Sequence, residues 1–326
     1  MGGCKVTSEQ VTQYYDTHSD ITKATHIQEV FRSNSINTNL DPALFKNGIR
    51  ESCDSAGCPK SRAIAIGFDE TGSMGEIPFY FVKSGFPTLI NMIQGDSLGY
   101  DPQIAVVGIG DVKVDKSSLQ FSQFEADTRM IDNLPLFHIE EGGGGNKGES
   151  YNTPWWALAK HTKIDCFNKR GEKGIYISIG DDKSHPTLKR YELKKIFGNY
   201  DGLEENEIST TRIRDMALER WHLFHILIKR RYEWNYSSGY ASSGVEESWR
   251  SLLGNHIAIL EDYTCVAELI ATMLKIQSGV DKFEAIQMIE NVDTRKVIRE
   301  ALIDFEPYDE PHNDKSDAHN DSIEFI

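Results

Sequence analysis

Apolar residues in this chain follow two rhythms that take turns. Runs of strand length, "AIAIGF" (63–68), "QIAVVGIG" (103–110), "GIYISIG" (174–180), "HLFHILI" (222–228) and "HIAIL" (256–260), are apolar at most positions and bounded by Gly, Asp or Lys. Strands that are continuously apolar, rather than alternating, belong to a sheet covered on both faces. Between the runs, apolar residues recur three or four apart, as in Val82, Phe86, Leu89 and Ile93, which is the spacing of one helix face. Strands and helices in alternation predict an α/β fold with a doubly wound, mostly parallel central sheet flanked by helices.

Pro87 predicts a kink or early break in the helix that carries those four residues. Another helix is expected from about Thr153, with Pro154 in its first turn, to about Phe167. "CVAELIATMLKIQ" (265–277) reads as the helix that closes the domain, and one more is expected around Lys282 to Ile303. Residues 117–134 read as an edge strand, "SSLQFSQFE", and a short helix, "ADTRMIDNL". The resulting layout is a polar extension over 1–60, helical in part between Ser8 and Arg32, a main domain over 61–278, a helix over 279–303 and a tail over 304–326. The tail, "DFEPYDEPHNDKSDAHNDSIEFI", is acidic and poor in apolar residues, so disorder is expected, with "SIEFI" as a candidate docking peptide.

Composition narrows the function. Thirty-five Lys and Arg against 50 Asp and Glu give a formal charge of −15, which suits cation binding and argues against a nucleic-acid backbone as partner. No apolar run approaches the ~18 residues of a membrane span. The five cysteines lack metal-ligand spacing and read as free thiols. "MGGCKVT" has Val6 where a myristoylation signal needs Ser or Thr, and no apolar leader follows it. A cytoplasmic location, or assembly into a particle made in the cytoplasm, is expected.

Open parallel sheets bind ligands beyond the carboxyl ends of their strands. After the first strand stands "DETGS", with Asp69, Thr71 and Ser73 at alternate positions. A tight loop aims those three oxygens at one point, as a hard divalent cation requires. After the third comes "GDDKSHP", with Asp181 and Asp182. Between them "EEGGGGNKGESYNT" carries Asn146, Glu149 and Ser150 just ahead of a helix. A phosphate loop is excluded there, because Lys147 precedes Gly148 where that motif needs the reverse order. Ser184 and His185 could suggest a nucleophile and its base, but neighbours on one loop without an orienting third group read as packing. Trp155 and Trp156 cannot both face one core from one helix. Either one is exposed near the metal rim as a partner anchor, or both are buried against the N-terminal extension.

From Ala63 to Gln277 the chain resembles the von Willebrand factor type A domain, most closely its bacterial or phage members. The metal-ion-dependent adhesion site of that family opens with Asp-x-Ser/Thr-x-Ser, here "DETGS" followed by Met and Gly. "GGGGNKGES" is similar to the glycine-rich second loop of the integrin β-chain version, and "IGDDKSH" to the third loop. The resemblance implies the ligand set Asp69, Thr71, Ser73, Glu149 and Asp181, with Glu149 where other members place a Thr and Asp182 behind Asp181. Only Glu76 stands where an adjacent second cation site would need paired acids. The implied cofactor is magnesium, with manganese or calcium as alternatives. The implied function is a non-enzymatic module inside a larger assembly, whose cation accepts an Asp or Glu carboxylate from a protein partner; neither nucleic acid nor membrane is expected as partner. Two alternatives stand beside it. One is a magnesium-dependent phosphohydrolase of haloacid-dehalogenase type, although Thr71 occupies the place of its general acid. The other is a structural metal site at a subunit interface, in one form reached by the acidic tail of another copy.

Overall fold

The computed structural model describes residues 6–71, 74–94, 97–139, 148–198, 203–229 and 244–310. All five apolar runs are strands of one six-stranded sheet: β1 (Ser61–Asp69), β2 (Asp101–Ile109), β3 (Leu119–Phe121), β4 (Gly174–Gly180), β5 (Trp221–Ile228) and β6 (Ile257–Leu260). Their spatial order is β6-β5-β4-β1-β2-β3, parallel throughout except for the antiparallel edge strand β3. Every residue of β1, β4 and β5 is buried, as their unbroken apolar runs require.

Alternate side chains of these strands feed two cores. On one face Ile64, Ile66, Phe68, Ile177 and Phe224 meet α1 (Phe86–Ile93) and the closing helix, Val266–Gln277. On the other, β1 offers only Ala63, Ala65 and Gly67, and the space is filled by Trp155, Tyr176, Trp221 and Trp249. That face is covered by α2 (Asn152–Lys160), α3 (Arg190–Phe197), α4 (Thr210–Leu218) and α5 (Val245–Leu253). Val266–Gln277 is α6. Helices thus flank a mostly parallel sheet on both sides. The N-terminal residues join the same packing, with Val11, Tyr15, Ile21 and Leu40 all buried in the first core.

The helices differ from expectation in four places. Ahead of Pro87 the chain makes a π turn, Phe81–Gly85, in which the Phe86 N–H reaches back to the Phe81 carbonyl. The wider turn accommodates a proline that cannot donate to the preceding turn. The helix expected to reach Phe167 stops at Lys160, because Thr162–Ile164 pairs in parallel with Arg50–Ser52; Asp165–Arg170 then forms a separate helix. The helix expected over Lys282–Ile303 is two, Lys282–Gln287 and Val292–Ala301. Asn291 divides them, its side chain accepting from the N–H groups of Asp293 and Thr294 at 2.9 and 3.0 Å. Finally, Trp155 and Trp156 are both buried, the first against Trp249 and the second beside Ile208 and Met216 rather than under the N-terminal extension. Two core-facing neighbours are accommodated because helices cover α2 from outside as well.

Of the stretch assigned to a tail, 304–310 is held against the amino-terminal edge of the sheet, and 311–326 lies outside the described residues. Phe305 is fully buried, and Tyr308 stacks on His222 and His256. Glu310 pairs with Arg62, lies 3.3 Å from His222 and accepts from Gln277 at 3.0 Å. Burial works against its charge, yet His222, Arg62 and Gln277 prevail and hold it down to about 2. A carboxylate held low supplies stability that is complete above its ordinary range and is lost as pH falls towards 2. Glu310→Gln is therefore expected to cost about 2 kcal/mol at pH 7 by urea denaturation, with the difference from wild type shrinking below pH 4.

No helix among the described residues is long and apolar enough to cross a membrane. Among the described cysteines, Cys53, Cys58, Cys166 and Cys265, no two are joined in a disulfide.

Candidate metal centre

β1 hands over to β2 and β3 on one side, while β4, β5 and β6 lie on the other. The crevice where direction reverses opens above the carboxyl ends of β1 and β4. Phe68 is in register with Ile179, so Asp69 comes level with Gly180 and Asp181 stands one residue higher, on strands about 4.8 Å apart.

Asp69 is fully buried and both of its oxygens are used. Oδ1 accepts from the Thr71 amide at 2.9 Å and the Thr71 hydroxyl at 2.6 Å, and Oδ2 accepts from the Tyr151 hydroxyl at 2.6 Å. With its proton given to Asp69, the Thr71 hydroxyl keeps lone pairs for a neutral metal ligand. Tyr151 can reach Asp69 only because residue 180 is glycine: a Cβ there would lie 1.7 Å from the phenolic oxygen. Tyr151→Phe is expected to leave the fold intact, since the ring still packs on Trp249 and His225, and to weaken divalent-cation binding about tenfold by calorimetric titration.

Gly148 and Glu149, at the end of the glycine-rich stretch, are stapled to the third loop. The Glu149 amide donates to the Lys183 carbonyl at 2.8 Å, the His185 amide donates to the Glu149 carbonyl at 3.0 Å, and the Gly148 amide reaches Asp182 Oδ2 at 3.1 Å. Asp182 thus braces the loop, while Trp249 Nε1 holds its carbonyl at 2.9 Å. Asp181 is half-buried at the crevice. Ser73 and Asn146 lie outside the described residues.

Glu149 is only 9% exposed, and among the described residues its Oε2 has no hydrogen-bond partner. Burial, followed by the charges of Asp69, Asp111, Asp115 and Asp182, pushes it up to about 9. Asp69 is raised to about 6, by burial first; the bonds from Thr71 and Tyr151 oppose the rise and the charge of Asp181 adds to it. Negative charge is thus concentrated in a water-poor crevice, where two acids resist ionising unless a cation is present.

Asp111 and Asp115 were missed in the sequence. Asp111 follows "QIAVVGIG" just as Asp69 follows "AIAIGF", so looking beyond every strand end finds it. It is fully buried, accepts from the Lys113 amide at 3.0 Å and the Ser150 hydroxyl at 3.2 Å, and pairs with His185 Nε2 at 2.9 Å. Ser150, the hydroxyl nearest Glu149 in sequence, is therefore spent on the second strand's loop. The Ser184 hydroxyl donates to the His185 carbonyl at 3.3 Å while the imidazole faces Asp111, so the two form no nucleophile–base pair. Tyr151 carries no sequence signal, because only the fold brings it to Asp69.

Among the described residues no three His, Cys, Asp or Glu side chains converge closely enough to grip an ion by themselves. A cation here would draw on the Thr71 hydroxyl and on water as well as on acids, a ligand set that magnesium accepts.

No family model matches the chain, and no curated protein matches it. Among solved structures, the open conformation of the pilus adhesin SpaC from Lactobacillus rhamnosus GG aligns with 68% of this chain and 30% of its own, at 11% identity and a TM-score of 0.43. Proximal thread matrix protein 1 from the mussel byssus aligns over 67% of this chain and 47% of its own, at 11% identity and a TM-score of 0.42. The aligned region amounts to less than half of either of those proteins.

Proposed function

We propose that the crevice binds one divalent cation, magnesium by preference, and that the cation takes a carboxylate from a protein partner. Asp69, Thr71, Glu149 and Asp181, with Ser73, would hold it. The reading rests most on Glu149 Oε2, a buried carboxylate oxygen that has no hydrogen-bond partner among the described residues and stands near other acids. Strand order β3-β2-β1-β4-β5-β6 and the loop sequences support a doubly wound domain of von Willebrand factor A type.

When bound, the cation supplies positive charge and a coordination position for the partner's acid. The chain does the rest. Tyr151 and Thr71 orient Asp69, and the Glu149–Lys183 backbone pairing holds Glu149 beside the third loop. Asp69, buried with both oxygens occupied, favours binding over an attack on phosphorus. Titration calorimetry with MgCl2 and MnCl2 tests this directly: one ion per chain is expected, and no uptake by the intact chain would remove the proposal.

A further inference from the structure

Trp249, fully buried on α5, touches both sides of the candidate centre. Its Nε1 donates to the Asp182 carbonyl at 2.9 Å, and its ring meets the Tyr151 ring edge-on, with centroids 5.1 Å apart. His225 of β5 stacks on the indole at 3.6 Å and 12°, while His225 Nδ1 lies 2.9 Å from the Ser178 hydroxyl, so the indole plane is fixed against the sheet. Each contact leads to a proposed ligand. Tyr151 donates to Asp69 at 2.6 Å. Asp182 joins Asp181 to Lys183, whose carbonyl accepts from the Glu149 amide at 2.8 Å, and its own carboxylate accepts from the Gly148 amide at 3.1 Å. The spacing of the acids on separate loops is thereby set from α5, an element that supplies none of the proposed ligands.

We propose that Trp249 is a positioning residue that makes the centre selective for magnesium over calcium. The inference rests on the cation reading above and concerns the same site. Magnesium demands near-ideal octahedral geometry with oxygens at about 2.0–2.1 Å, whereas calcium accepts looser arrangements at about 2.3–2.6 Å. A shift of about half an ångström in Asp181 or Glu149 therefore costs magnesium far more than calcium. An indole N–H suits the task because it is rigid, donates only, and holds the Asp182 carbonyl without adding a charge or competing as a ligand. Without that bond the peptide link between Asp182 and Lys183 is free to turn, which moves Asp181 on one side and the anchor of the Glu149 amide on the other.

The test compares Trp249→Phe, which keeps an aromatic ring and removes the donor, with Trp221→Phe in the full chain. Trp221 is also fully buried and its Nε1 donates to the Leu158 carbonyl at 3.2 Å, but it stands at the amino-terminal end of β5. Magnesium and calcium affinities are read by titration calorimetry, stability by thermal melting, and amide exchange in EDTA by mass spectrometry. Trp249→Phe should weaken magnesium binding at least tenfold and calcium binding less than threefold, and should speed exchange of the Glu149 amide at least tenfold. Trp221→Phe should lower the melting temperature yet leave both affinities within twofold of wild type. If Trp249→Phe does not fold, Trp249→benzothienylalanine, an indole isostere without the N–H, carries the same expectations. Equal weakening of both ions, or the same change of selectivity in Trp221→Phe, overturns the proposal. A wild type that binds magnesium, with selectivity and Glu149 exchange unchanged in Trp249→Phe, removes this inference alone. A wild type that takes up neither ion removes the cation reading and the selectivity with it, whatever the exchange rate of Glu149.

Discussion

Asp69→Ala is expected to weaken magnesium and manganese binding at least 100-fold, or about 2.8 kcal/mol, in calorimetric titration. The argument is local. Asp69 is the acid to which the Thr71 amide, the Thr71 hydroxyl and Tyr151 all donate, so its loss would remove one proposed ligand and release the groups that set a second. Thr71 would then turn its hydroxyl proton elsewhere and cease to be a preset oxygen. Folding should survive, because Asp69 is a carboxyl that burial already disfavours in its charged form. Circular dichroism checks that point, and wild-type affinity in Asp69→Ala would show that the ion binds somewhere else.

The second large effect is the pH dependence of the metal-free chain. Glu149 is raised to about 9 in the folded state, so between its ordinary range near 4.5 and pH 9 the folded chain carries the extra proton. Unfolding stability must then fall as pH rises through that window. About 5 kcal/mol is expected to be lost between pH 5 and 9 in EDTA, with Asp69, raised to about 6, adding at the lower end. Glu149→Gln should flatten most of the slope, and magnesium should restore much of the alkaline loss in wild type. At pH 7.5 cation binding should also release close to one proton, measurable from titrations in buffers of different ionisation enthalpy. A metal-free chain whose stability is level from pH 5 to 9 would contradict a Glu149 carboxyl held protonated by burial and neighbouring acids.

What the sequence could reveal follows from what each feature depends on. The five strands were legible because a sheet covered on both faces needs unbroken apolar runs, and those runs stand out against a polar chain. Asp69 and Asp181 were legible because strand ends locate them without any knowledge of packing. The helix ends were less so. Thr162–Ile164 leaves α2 to pair with Arg50–Ser52, a partner more than a hundred residues away, and no local pattern announces it. Asn291, by contrast, was an available cap signal inside the stretch expected to be one helix. Tyr151 was hidden in another way: its role needs Gly180 on a different strand to leave a gap, so neither residue points to the other until the sheet is assembled.

The described parts of the loops around the crevice are fastened by main-chain bonds and by Trp249, among them Glu149 to Lys183 and Trp249 to the Asp182 carbonyl. Under the proposed reading, a crevice fastened in this way would keep its shape when the ion leaves. If the proposed cation site is correct, removing magnesium at neutral pH would abolish partner binding without exposing the chain to proteases, and resupply would restore that binding with no refolding delay.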